Sequence, residues 1–199
     1  PYNNEYLLSI PNIDTEKVTV AWAENINRWT SFMSFIGEGY QKVNTGFISF
    51  KDGQLWTHRT NTLFNNFYGT QYTSKLKLLC NQEPLNSKLL TGVEEIAKGA
   101  QWDCTDIATP DGQSSELIGL FNIASPNTKP ADFRQYENRF YGAVMRDKNT
   151  PNMSASDYPL LKGDHIRSDV FTILMQNDKT TQQNLYAVDL LYISSYKKS

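Results

Sequence analysis

Gly46-Phe47-Ile48-Ser49-Phe50-Lys51-Asp52-Gly53-Gln54-Leu55-Trp56-Thr57-His58 is the stretch whose reading decides the fold. An Asp-Gly pair between two short apolar-rich runs predicts a β-hairpin, because the tight turn needs positive φ and Gly adopts it at little steric cost. Phe47, Ser49 and Lys51 fall on one face of the first strand and Ile48 and Phe50 on the other, so both faces carry apolar weight. Aromatic residues crowd the flanks, with Trp22, Trp29, Phe32 and Phe35 upstream and Phe64, Phe67 and Tyr68, followed by Gly69, downstream. The expected core is therefore Trp22, Trp29, Phe32, Phe50, Trp56, Phe67, Tyr68 and Gly69, with Asp52 and Gly53 as the turn.

Outward from the hairpin, short β-branched or alternating runs recur between turn signals. Upstream, Val18–Trp22 and Trp29–Phe35 are expected to pair, and Gly37-Glu38-Gly39 breaks the pattern before Tyr40–Val43. Downstream, Thr73–Asn81 alternates Lys75 and Lys77 against Leu76 and Leu78, the pattern of a sheet with one wet face. Lys88–Ala97, Trp102–Ile107, Glu116–Ile123, Arg139–Arg146, Asp169–Gln176 and Asn184–Tyr196 read as further strands, with a helical turn as the alternative for Lys88–Ala97 because of Glu94 and Glu95, and a turn at Pro110-Asp111-Gly112. Two longer polar connections, Ala124–Glu137 and Asp147–Gly163, separate them.

No stretch shows a sustained helical period with caps. The expected fold is all-β, an antiparallel two-sheet sandwich of jelly-roll-like type with long polar loops. Residues 1–17 read as a leading segment or linker with one edge strand, and 18–199 as a single sandwich domain. The start at Pro1 adds the expectation that this is the C-terminal module of a larger chain.

Composition narrows the function. At 199 residues with 39% hydrophobic and 13% aromatic content, the chain can build its own core of bulky side chains. A formal charge of -2 argues against a nucleic-acid surface, which needs a basic field. No apolar run approaches the length of a membrane helix, so no membrane insertion is expected. Cys80 and Cys104 have neither a second Cys nor a His at zinc-site spacing, and read as reduced, with a cross-strand disulfide as the alternative.

Each reacting constellation falls short. Ser168, His165 and Asp169 contain the residue types of a hydrolytic triad, but nothing in the spacing requires one, and His58 and His165 read as loop histidines. Glu94, Glu95, Asp103 and Asp106 include the paired carboxyls of a glycosidase near Trp102, against the ordinary reading of a solvated strand face. Gly37-Glu38-Gly39 lacks the rest of a phosphate loop, and Asp147, Asn149 and Asn152 lack the closing bidentate acid of a calcium loop. No cofactor, metal or catalytic residue is expected. Trp22, Trp29, Trp56 and Trp102 are candidates for a sugar platform, weighed against the commoner role of Trp as core.

The ordered motifs Trp22-Ala-Glu-Asn-Ile-Asn-Arg-Trp-Thr-Ser-Phe32, Ser49 to His58, Asn66-Phe67-Tyr68-Gly69 and Cys80-Asn81 with Pro84 and Lys88 resemble a module of large tailed-phage virion proteins. The resemblance is to the crAss-like phages of gut bacteria, including their tail muzzle and stabilisation proteins. The closing segment Leu161 to Arg167, then Val170–Gln176 and Leu185–Ser195, is similar too. Gly37-Glu38 departs from it, standing where a Pro-Glu pair is expected. The resemblance implies a non-enzymatic structural role in the virion tail, assembled in the bacterial host cytoplasm. The partners it implies are other tail subunits or copies of the chain in a ring. The alternative is a carbohydrate- or host-surface-binding sandwich module.

Overall fold

The computed structural model of the chain describes residues 5–13, 16–43, 46–58, 60–99, 102–117, 133–137 and 139–195. Most of the expected strand Glu116–Ile123, and the expected connection Ala124–Glu137 as far as residue 132, lie outside them. The fold is all-β and antiparallel throughout. Its contacts divide the chain into two compact units, Pro1–Tyr72 and Thr73–Ser199. The sequence reading, with one domain across 18–199, draws no boundary there.

In the first unit, β1 (Glu5–Ile13), β2 (Glu16–Ala23) and β3 (Arg28–Met33) form one meander, β4 (Gly39–Val43), β5 (Gly46–Lys51) and β6 (Gln54–Thr57) a second, and β7 (Asn66–Phe67) and β8 (Thr70–Gln71) a small hairpin. Residues 5–13, within the expected leading segment, thus pair along β2. β2 and β3 pair as expected, with a bulge near Trp22. The Asp52-Gly53 turn joins β5 to β6 with φ of 51° and 72°, the two positive values a primed turn demands. Tyr68-Gly69 repeats the device between β7 and β8, with φ of 52° and 74°. The similar triplet Phe140-Tyr141-Gly142 lies within a strand, so the two triplets do not mark a structural repeat.

The second unit is a two-sheet sandwich. Its strands are β9 (Ser74–Cys80), β10 (Lys88–Lys98), β11 (Asp103–Ala108), β12 (Ser114–Ser115), β13 (Arg134–Tyr136), β14 (Arg139–Ala143), β15 (Arg167–Ser168), β16 (Phe171–Asn177) and β17 (Asn184–Ser194). One sheet runs β13-β14-β10-β17, with β15 also on β10, and the other runs β12-β11-β16-β9. The core sits between them. Phe171, Ile173 and Met175 of β16 are fully buried at alternate positions, facing Val93 and Leu90 of β10 within one apolar cluster that also takes in Cys104, Ile107, Phe140 and Ile166. On β9, Leu76 and Leu78 pair with the inward Met175 and Ile173 while Lys75 and Lys77 point out, as the alternation predicts.

β10 pairs along its whole length with β17, and Tyr186 is an extra residue opposite the Ile96–Ala97 step. That bulge turns Leu185 into the same core as Val188, Leu190 and Tyr192, which plain alternation would forbid. Asp147–Gly163, expected as a long loop, contains a single 3-10 turn and the one-turn helix Pro159–Lys162. Buried Asp147 holds it, accepting the Ser114 and Asn149 amides, both at 2.9 Å.

Candidate functional site

The most concentrated polar chemistry lies inside the first unit. Ser49 Oγ is 2.6 Å from His58 Nε2 and 2.8 Å from the Tyr68 hydroxyl, a nucleophile-and-base spacing that the sequence did not reveal. Ser49 is fully buried, however, and the His58 ring stacks on Phe47 at 4.3 Å. Phe35 stands at the centre, 4.6 Å from the Phe67 ring and 5.7 Å from that of Tyr68. Burial pushes the Tyr68 phenol above its ordinary range, so it stays a neutral hydrogen-bonding group. A substrate in solvent has no approach to Ser49 Oγ without opening this aromatic box. The cluster reads as a satisfied polar network that fixes the packing of β5, β6 and the β7–β8 hairpin.

Gly37 completes that network. Its amide donates to the Tyr40 hydroxyl at 2.8 Å, which a proline could not do, and this accounts for Gly where the phage resemblance led one to expect Pro. A Cβ here would meet the Tyr40 ring and the Tyr68 hydroxyl, each at 2.9 Å. Gly37→Ala is expected to cost about 2 kcal/mol through overpacking. Thermal unfolding of the variant checks this, and an unchanged midpoint would show that the two tyrosines move aside freely.

The other reacting candidates stay apart. His165 is exposed, and among the described residues Ser168 Oγ bonds to its neighbours, donating to Asp169 and accepting the Val170 amide. Among the described residues no group of three His, Cys, Asp or Glu side chains is placed to hold a metal. Cys80 and Cys104 are free thiols, and burial pushes the Cys104 thiol up to about 12. Glu94 points out to Arg139, at 2.8 Å. Glu95, its neighbour in sequence, points into the sandwich and is fully buried, opposite Val188 and Phe140. Its Oε1 accepts the Trp102 amide at 2.9 Å, while Oε2 and Trp102 Nε1 find no partner among the described residues. Loss of hydration raises its carboxyl from 4.5 to about 7. With Glu94 and Glu95 on opposite faces of one strand, they do not form a pair across a cleft.

The aromatic residues expected in the core divide by environment. Trp22, Trp56, Phe67 and Tyr68 are half-buried, whereas Trp29, Phe32 and Phe50 are 51%, 75% and 46% exposed. Trp22 and Trp29 sit edge to face at 5.1 Å. The pairing register places Tyr6, Trp22 and Trp29 in one row across β1–β2–β3, and Leu8, Val20 and Phe32 in the next. The opposite face of the same meander carries the fully buried Thr19 and Ala21, with Thr19 Oγ1 donating to the Phe35 carbonyl at 2.5 Å. One face of this sheet is thus interior and the other an exposed aromatic surface. A contiguous apolar patch of this kind marks a binding surface.

A second apolar opening lies in the sandwich, where Leu79, Cys80, Phe171, Val188, Leu190 and Tyr192 line a cleft of about 200 Å³ between β9 and β17. Lys88 closes one end. It is 2% exposed, and its Nζ donates to the carbonyls of Gln82 and Asp169, both at 2.6 Å, and of Glu83 and Asn86, both at 3.1 Å.

These features define an all-β module whose exposed chemistry is apolar and aromatic surface, and whose main polar clusters, around Ser49 and around Glu95, are buried. Residues 62–147 match the family model of the Crassvirus muzzle protein C-terminal domain. The chain is also 28% identical over 112 residues to the Muzzle protein of Bacteroides phage crAss001, covering 56% of this chain and 8% of that protein. The chain therefore aligns with under a tenth of that relative's length. The similarity to crAss-like phage muzzle proteins expected from the motifs is present, over a shorter span than the expected Trp22 to Ser195. The family match begins in the β7–β8 region and ends at the buried Asp147.

Proposed function

We propose that this chain is a non-enzymatic structural module of a tailed-phage virion, a muzzle or stabilisation component that packs in the tail against other tail subunits or copies of itself in a ring. The match of residues 62–147 to the muzzle C-terminal domain carries this reading. The architecture supports it, since a packing module needs a rigid frame with apolar surface left over for neighbours. In this reading the module is one part of a larger chain, assembled in the host cytoplasm and retained in the tail. Antibodies raised against the recombinant chain, applied to purified virions, should decorate the tail in electron micrographs. Label confined to infected-cell extract, with clean particles, would overturn the assignment.

The exposed face of Tyr6, Trp29 and Phe32 favours a second reading, recognition of a host-surface glycan, because flat rings stack on the apolar faces of sugars. Under it, Trp29→Ala should lower affinity for a bound host polysaccharide by about tenfold or more while leaving the fold intact. Silence of the wild-type chain across a glycan array would remove this reading and leave the structural one.

A further inference from the structure

The two sides of the sandwich differ. At one side β12 and β13 are short terminal strands of two and three residues. At the other, β17 runs for eleven residues, and its second edge has no strand partner among the described residues. Such an edge presents a row of N–H and C=O groups whose geometry is matched by water or by another extended backbone. Edge strands are ordinarily guarded by charged side chains, especially Lys, by Pro, by bulges or by brevity, and the one bulge of β17, at Tyr186, leaves residues 187–194 regular. β17, Asn-Leu-Tyr-Ala-Val-Asp-Leu-Leu-Tyr-Ile-Ser, has no Lys, Arg or Pro and a single charge, Asp189.

Its core face is also incompletely covered. Val188, Leu190 and Tyr192 are half-buried, although the β10 residues directly opposite them, Glu95, Val93 and Leu90, are buried. The same three side chains line the cleft with Leu79 and Phe171. An occupant of this side must therefore be extended, apolar at alternate positions, and free of a carboxylate where it meets Asp189. β17 itself meets all three conditions.

We propose that β17 is a self-association edge, through which two copies of this chain pair antiparallel about a two-fold axis at Leu190. Side chains directly opposite across an antiparallel pair share a face, so the axis falls on a residue. An axis at Asp189 would set two carboxylates against each other, which is unfavourable. An axis at Leu190 sets Val188 against Tyr192 and continues the apolar row of the cleft into the second copy. On the outer face it sets Asp189 against Leu191 and Ala187 against Ile193. This register spans the regular part of β17 beyond the Tyr186 bulge.

The test is sedimentation equilibrium of the full chain from about 1 to about 100 µM, where a dimer of ordinary strength is populated. The expected mass rises toward twice 22.7 kDa. Two variants of one half-buried position read the register. Leu191→Lys places an ammonium opposite each Asp189 and should hold the dimer at least as tightly as wild type. Leu191→Asp places a second carboxylate there and should weaken it about tenfold or more. Hydrogen exchange of the unsubstituted chain supplies a readout that needs no variant: the β17 amides that point away from β10 should gain protection with concentration. A monomer throughout, a dimer that responds equally to both signs of charge, or outward-pointing β17 amides already protected in the dilute monomer would each overturn the proposal.

Discussion

Lys88→Met is expected to lower stability by about 3 to 5 kcal/mol, the cost of breaking a buried charged network by removing one partner. Lys88 is 2% exposed and among the described residues its ammonium donates to no carboxylate; its acceptors are backbone carbonyls of the 82–86 turn and of Asp169. It thereby ties the approach to β10 to the start of β16, which belong to opposite sheets. It also lies 5.8 Å from the centre of the Tyr192 ring. Methionine fills similar volume but offers no donor, so four carbonyl oxygens would lose their partner at once. In a chain of this size the loss corresponds to a fall in unfolding temperature of roughly 10 °C. Lys77→Met, on the wet face of β9, serves as the control and should change stability by no more than about 0.5 kcal/mol. Equal effects of the two substitutions would show that the carbonyls find water.

Glu95→Gln is expected to remove most of a pH dependence that the wild-type chain shows. The folded carboxyl titrates at about 7 against 4.5 when hydrated, so between these values the folded state holds a proton that the unfolded chain has released. Stability from this group is therefore fully present below about pH 4.5 and is lost as pH rises through 7, a change of about 3 kcal/mol. Asp103, also raised by burial and by the nearby Asp178, adds a slope of the same sign in both proteins. Gln keeps an oxygen for the Trp102 amide and cannot ionise. Urea unfolding at pH 5 and pH 8 should show a marked fall for the wild type, a shallower one for the variant, and a variant more stable at pH 8. Parallel pH profiles would mean that Glu95 is hydrated in the folded chain.

Much of this fold was legible in the residues. Asp52-Gly53 specified its hairpin because two consecutive positive φ values leave few other solutions. The alternation of Phe171, Ile173 and Met175, and of Lys75 and Lys77 against their leucines, specified strands with one covered face. The aromatic crowding around residues 22–69 also marked where the first unit's polar-aromatic network would form. What periodicity determines is which side chains share a face; it does not determine which face is then covered. Trp29 and Phe32 were therefore expected inside and stand in solvent, while Phe35, three residues beyond Phe32, is the ring that β4, β6 and the β7–β8 hairpin enclose.

The tertiary structure alone decided the rest. Glu94 and Glu95 look equivalent as neighbours, and only their place on the central strand sends one to Arg139 and the other into the core. Lys88 opens a strand in the sequence, and its burial depends on the 82–86 turn that supplies carbonyls to its ammonium. Ser49, His58 and Tyr68 meet because three separate segments converge, which no local spacing encodes. The open edge of β17 likewise depends on strand order, a property of pairings distant in sequence. Short-range sterics and alternation acted within each segment; burial, charge environment and free edges arose from which segments came together.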